Sequence, residues 1–374
     1  MHANPQIETL RFIPRERSPF FTTVRSRVEA YFQEKKIPKT ANTEMVVKTI
    51  VLLGTYLGTY AVLISGAFPE WVLWLNAALM GVSIAGIGMS IMHDANHGAY
   101  SRSAKINEWV GYSLNLAGGA VFNWKLQHNI LHHTYTNIST HDEDVKNRAV
   151  LRFSPNGLVK SFHRFQYIYA FFFYGLITLY WVIAKDLVQL QLFKKIGVNR
   201  NTPAENKVLF WKITFIKIAY LTAFMVGPVY LGGLSIGLTI GLFVFMHFVA
   251  GIILTLVFQL AHTVEGTDHP LANEDNVIPE DWAIHQLKTT KNFSRNNRLL
   301  SWYLGGLNYQ VEHHLFPKIC HVHYPAISHI VKATAEEYGI PYQENPDFLT
   351  ALKSHVRYLK ELGELPSWND AIAG

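Results

Sequence analysis

Three short stretches place histidines at spacings that can hold metal ions. HDANH carries His93 and His97, HNILHH carries His128, His132 and His133, and QVEHH carries Gln310, His313 and His314. Side chains three or four residues apart share a helix face, so each i,i+4 pair can converge on one centre. The adjacent member of each HH pair points about 100° away in an α-helix, which suits two neighbouring metals better than one. Neutral imidazole is the commonest protein metal ligand, and all-nitrogen sites suit iron, copper, nickel or zinc. One zinc takes three or four ligands, fewer than the seven histidines of these boxes. Two metals are therefore expected. With no thiolate set and no Glu-x-x-His carboxylate pattern, a histidine-rich di-iron centre is the sharper expectation. A lone HxxxH is more often an interfacial or hydrogen-bonded pair; the recurrence of three clusters beside membrane-length apolar runs favours metal.

The elements that must position these residues read as membrane helices. Hydrophobic residues make up 49% of the 374 and charged residues 16%, against roughly 25% charge in soluble domains. A spanning helix needs about 20 apolar residues. Residues 46–68 and 71–92 meet that as one hairpin, and 210–233 and 234–262 as a second. The net charge of +6 comes from Lys and Arg that flank apolar runs, which points to an anionic membrane surface and not to nucleic acid. Cys320 is the single cysteine, so neither a disulfide framework nor a thiolate metal cluster can form within the chain. The first residues lack a signal-peptide core, and insertion is expected to use an uncleaved span.

A fifth apolar run, 163–184, is flanked by Lys125, Lys146, Arg148, Arg152, Lys160 and Arg164 on one side and by Lys185, Lys194, Lys195, Arg200, Lys207 and Lys212 on the other. The positive-inside rule puts both flanks in the cytoplasm, and a segment that starts and ends on one side does not span. The expectation is an all-α integral membrane fold: four transmembrane helices in two hairpins, interfacial helices including 163–184, and a cytoplasmic helical cap holding the histidine boxes. Residues 1–45 and 331–374 are read as cytoplasmic terminal segments around a membrane region, 46–330. A bacterial inner membrane is preferred.

HDANHGAYS, QHNILHHTYTN and GGLNYQVEHHLFP resemble the three histidine boxes of the membrane fatty acid desaturase family, and the spans are similar in order and spacing from about residue 45 to 330. The resemblance implies two irons held by His93, His97, His128, His132, His133, His313 and His314. His262, in QLAHTVEG, matches a further family histidine near the end of the last span. Gln310 opens the third box where many members have histidine, which implies an amide that binds iron weakly, acts through a water, or leaves a position open. Glutamine there is similar to the front-end desaturases, which insert a double bond between an existing one and the carboxyl end. Many of those carry a fused cytochrome b5 domain. With no HPGG-type haem-binding segment, the donor here is expected to be a separate ferredoxin or cytochrome b5.

Asp94, Asp142, Asp144 and Glu312 are candidates to orient the imidazoles from behind. His141, His163, His247, His269, His285, His321 and His323 are read as structural, His247 by bonding a neighbouring helix inside the last span. Removing hydrogen from a methylene needs an oxidant no side chain supplies, so no catalytic residue is expected beyond the metal centre. By the resemblance the substrates are O2 and a fatty acyl chain, as acyl-CoA or phospholipid. The rivals are a related di-iron lipid hydroxylase, an intramembrane zinc hydrolase of lipid amides or esters, and a non-catalytic lipid-binding protein. The last two leave most of the box histidines without a role.

Overall fold

The computed structural model describes residues 9–13, 18–146 and 150–366; Arg148 and the outermost parts of the segments 1–45 and 331–374 lie outside the described residues. The described chain is helical. In order it forms α1 (Pro19–Lys35), α2 (Thr43–Ser65), α3 (Glu70–Asn96), α4 (Ala104–Gly111), α5 (121–135), α6 (Ser161–Lys195) and α7 (Pro203–Tyr230). There follow α8 (Ile236–His262), α9 (Trp282–Thr289), α10 (Arg298–Tyr303), α11 (Gln310–Leu315), α12 (Tyr324–Glu337) and α13 (Phe348–Glu364).

Five of these, α2, α3, α6, α7 and α8, are long and apolar enough to cross a membrane, and the chain is a helical membrane protein. Their ends follow capping chemistry more closely than hydropathy. The Asn42 side chain accepts the Met45 N–H at 3.1 Å, which starts α2 ahead of its apolar run. Thr202 and Glu205 form a reciprocal capping box, which satisfies two orphan N–H groups and starts α7 at 203 instead of 210. The fifth run extends well past the expected 163–184, because a π turn at Trp181–Lys185 carries α6 on to Lys195.

The chain forms two compact units: one from 42–126 and 171–256, the other from 8–41, 127–170 and 257–374. The second unit is built around α1. Phe20 and Val24 pack with Ala283 and Leu287 of α9, Val311 and Leu315 of α11, and Val331 and Ala335 of α12. One to two turns on, Val28 and Phe32 pack with Tyr309, Ile319, Tyr324 and Ile327. Two parallel strand pairs, β1 (Arg11–Phe12) with β2 (Val277–Ile278) and β3 (Asn292–Phe293) with β4 (Glu344–Asn345), tie distant parts of this unit together.

The first unit holds the apolar helices against one another through small residues, which lets backbones approach closely. A Cβ on Gly81 would stand 2.4 Å from the Met246 carbonyl oxygen, and one on Gly251 would stand 2.7 Å from that of Gly175. The hairpin tips meet as well, with a Cβ on Gly66 falling 2.8 Å from the Gly232 oxygen. His247 bonds a neighbouring helix as expected: its Nε2 lies 3.1 Å from the Tyr220 hydroxyl.

An ion pair lies in the same unit. Lys217 on α7 donates to Asp186 at 2.8 Å and to the Trp181 carbonyl at 2.6 Å. Asp186 also accepts from the Ala120 N–H and the Trp181 indole, and both charged side chains are buried. This network explains why α6 tolerates an acid past its apolar stretch, and it anchors the backbone just before α5. Breaking a buried pair from one side costs on the order of 3–5 kcal/mol, whereas replacing both partners by apolar groups is often nearly neutral. Lys217→Met is therefore expected to lower the melting temperature of the detergent-solubilised protein clearly, and Asp186→Leu with Lys217→Met to recover most of that loss.

Candidate metal centre

Six of the eight histidines expected at the centre belong to the second unit, and they are gathered there. His128 and His132 lie on the stretch Lys125–His132 of α5, which is wound as a π-helix, and His133 follows it. A π turn closes i→i+5 hydrogen bonds, so residues five apart come onto one face, while the adjacent rings of His132 and His133 stay crossed at 76°. His128 and His133, five apart, bring their Nε2 atoms to 3.3 Å, and the His132 ring lies 5.2 Å from that of His128. The α11 pair faces them: His313 is 4.6 Å and His314 4.5 Å from the His133 ring. His262, the last residue of α8, is 4.7 Å from His132 and 5.0 Å from His314. The ring nitrogens fall into two groups, with ligand atoms of His132, His262 and His314 within 4.8 Å of one another, and those of His128 and His313 equally close.

What fixes the rings is the nitrogen on the far side. His132 Nδ1 lies 2.8 Å from Asp142 Oδ2, and Asp142 is itself held by the N–H groups of Asn137 and Asp144. His314 Nδ1 bonds Gln286 Oε1 at 2.7 Å, His262 Nδ1 faces the Thr289 carbonyl at 3.4 Å, and His313 Nδ1 faces the Tyr324 hydroxyl at 3.3 Å. His128 Nδ1 lies 3.5 Å from Asp144, whose other oxygen accepts from Gln127. Burial presses the His132 imidazolium downward, but the Asp142 carboxylate, with Asp144 behind it, outweighs this and holds the group above its ordinary value.

Glu312 is placed differently from the expectation. Its carboxylate contacts no box imidazole among the described hydrogen bonds; it accepts from Tyr342 and from Asn292, each at 2.8 Å. Asn292 in turn accepts the Val311 N–H at 2.9 Å. Burial raises the Glu312 carboxyl above the usual range, opposed by those two donors. The residue anchors α11 and does not orient a ring directly.

In the first unit, His93 and His97 keep the face-sharing geometry expected of i,i+4, with rings 4.7 Å apart and each 5.6 Å from the Trp124 indole. Asp94 stands 4.0 Å from His93 Nδ1, too far for a hydrogen bond. Gln310 is buried on the first turn of α11, three and four residues ahead of His313 and His314.

Sequence spacing missed Gln286, Thr289, Asn292, Tyr324 and Tyr342. None belongs to a box, and the signal for Gln286 was only a polar residue on the apolar face of a short helix. The donor set fits a metal. The Nε2 atoms of His132 and His262 are buried and have no hydrogen-bond partner among the described residues, a state that costs about 1–3 kcal/mol per group and that a metal would relieve.

Residues 69–346 match the family model described as fatty acid desaturase. An sn-1 linoleoyl-lipid 6-desaturase of Arthrospira platensis is 34% identical over 341 residues, 91% of each chain. A protein of the same name from Synechocystis sp. is 34% identical over 92% of this chain and 96% of its own. An acyl-lipid (8-3)-desaturase of Physcomitrium patens is 34% identical over 95% of this chain and 74% of its own. The chain belongs to the fatty acid desaturase family. It is an oxidoreductase that desaturates fatty acyl chains. Loss of a partner behind a metal-binding histidine typically weakens metal affinity 10–100-fold. Asp142→Asn should show a loss of roughly that size when iron retained per chain is measured against a competing chelator, and unchanged retention would make Asp142 a purely structural residue.

Proposed function

We propose that the chain inserts a double bond on the carboxyl side of an existing one in a lipid-bound acyl chain, using two irons held by His93, His97, His128, His132, His133, His262, His313 and His314. The observation that carries this is the set of six buried imidazoles in the second unit, five of them with Nδ1 facing a protein partner. His93 and His97 are assigned to the same centre by the three-box motif. The front-end choice rests on Gln310 and on the relatives named linoleoyl-lipid 6-desaturase, since a linoleoyl chain is already unsaturated at positions 9 and 12. Bound iron with O2 would supply the oxidising power that side chains lack.

The overall change converts one CH2–CH2 unit, O2, two electrons and two protons into CH=CH and two waters. The chain's own residues hold the ligand rings in place, keep the site dry and position the acyl chain. Asp142 and Asp144 behind His132 and His128 would raise ligand basicity, and the Gln310 amide would bind an iron weakly, act through a water or leave a coordination position open. The two electrons come from a separate acidic carrier such as a ferredoxin or cytochrome b5.

Four crossings, with α6 lying at the cytoplasmic side, are the topology we infer. Two observations support it: the tips of the two hairpins, 66 and 232, touch, and α6 carries lysines or arginines at both ends. The terminal segments 1–45 and 331–374 and the boxes then face the cytoplasm, with a bacterial inner membrane favoured by the cyanobacterial relatives.

In a desaturase-deficient host, wild type should yield a new alkene by gas chromatography and mass spectrometry of double-bond adducts, and His313→Ala none. An alcohol product would instead establish a hydroxylase, and zinc in place of iron would sink the di-iron reading. On a Cys320→Ala background, Lys105→Cys and Lys195→Cys should react with an impermeant maleimide from the same side and Phe68→Cys from the other; opposite labelling of the two lysine positions would make α6 a crossing.

A further inference from the structure

The C-terminal helix α13 is amphipathic. Ala351, Ser354, His355, Tyr358, Leu359, Leu362 and Gly363 are buried, while Lys353, Arg357 and Lys360 are exposed. Spacings of four and three keep these cations on one face.

The buried face locks onto the start of α6. A Cβ on Gly363 would stand 2.2 Å from the His163 carbonyl oxygen, so only glycine permits the contact. Gln166 donates to the Leu359 carbonyl at 2.8 Å. The buried Arg152 guanidinium donates to the carbonyls of Leu362 and Leu365 at 2.5 and 2.6 Å, at the carbonyl-rich end of α13 where a cation is favoured. Burial lowers the Arg152 pKa, as expected for a cation whose described hydrogen bonds go to neutral oxygens.

The first turn of α6 is where a membrane-length helix begins, at Ser161. Around it the side chains have the composition of a membrane–water boundary. Leu158, Phe162 and Phe165 are exposed by 66%, 41% and 48%, Lys160 lies over the Phe162 ring and Arg164 over that of Phe165. Lys360 sits one turn before Gly363 and Arg164 directly follows His163, so both cations border the seam between the two helices. Glu361 and Glu364 are the exposed acids of α13, exposed Asp347 caps the helix and interacts with Lys353, and Glu265 lies 3.9 Å from Arg357. Even counting those four, the five cations leave the face net positive.

We propose that the exposed face of α13, with Lys160 and Arg164, is a docking surface for the anionic phosphate headgroups of membrane lipids. Neutral headgroups would gain little from it, whereas anionic ones attract juxtamembrane cations strongly. The consequence reaches the centre. His355 Nδ1 lies 2.7 Å from the Thr263 carbonyl, and Ser354 accepts the Glu265 N–H at 3.1 Å, so the helix on the headgroups also holds the turn that follows His262.

The test uses the full chain in neutral detergent, titrated with phosphatidylglycerol or phosphatidylcholine and followed by thermal unfolding, since a ligand of the folded state raises the midpoint. Phosphatidylglycerol should stabilise wild type in preference to phosphatidylcholine, and high salt should remove the difference. The variant K353Q/R357Q/K360Q should bind phosphatidylglycerol on the order of a hundredfold more weakly, whereas K35Q/K36Q on α1 should behave as wild type. If K353Q/R357Q/K360Q proves unstable, K353R/R357K/K360R, which keeps every charge, should retain the full response. An unchanged phosphatidylglycerol response in the glutamine variant overturns the proposal. If that variant keeps its lipid response but needs more electron carrier for turnover, the face docks an acidic protein and the proposal is wrong.

Discussion

The structure depends on how a buried imidazole is satisfied. Each ring has two nitrogens, and leaving either without a partner away from water is costly. In the second unit Nδ1 of His132, His314, His262, His313 and His128 faces Asp142, Gln286, the Thr289 carbonyl, Tyr324 and Asp144 in turn. With Nδ1 engaged, the tautomer and ring direction are set, and the Nε2 atoms of His132 and His262 are left without a hydrogen-bond partner among the described residues. The partners arrive from loops and short helices that would otherwise have little reason to meet: residues 137–144, α9, and the start of α12.

That requirement shapes the scaffold around it. The π winding of α5 brings the three histidines of the second box toward one another, where an α-helix would have turned one away. The Glu312–Asn292–Tyr342 cluster fixes α11 from behind, and it draws in a residue from the segment beside β4, which pairs with β3. The rigid packing of α1 on α9, α11 and α12 supplies the apolar wall behind these polar contacts. The first unit solves a related problem inside apolar helices. There the Lys217–Asp186 pair is surrounded by donors and acceptors, and glycines at 81 and 251 bring the helices into backbone contact.

Family membership and geometry agree on the chemistry. Six buried imidazoles gathered in one unit are more nitrogen ligands than the three or four a single zinc takes, and the family is one of oxidoreductases acting on fatty acyl chains. Asp142 and Asp144 stand behind the rings of His132 and His128, a different place from that of the carboxylate ligands of soluble di-iron bundles.

Much was legible in the sequence. The histidine clusters and the membrane class follow from spacing and hydropathy, because lipid forces the backbone into long apolar helices. His247 bonding a neighbouring helix was readable for the same reason, since a polar ring in a span needs a partner. Helix ends were less so: the capping box at Thr202 and Glu205 moved one start, and the π turn before Asp186 lengthened α6 beyond its apolar run. Only the tertiary structure decided which residues stand behind the rings. Gln286, Thr289, Tyr324 and Tyr342 lie 30 or fewer residues from the site residue each supports, yet no local pattern marks them. A hydrogen bond between side chains of separate elements depends on how those elements pack. It was for this reason that Glu312, adjacent to two histidines in sequence, turned away from them to bind Asn292 and Tyr342 instead.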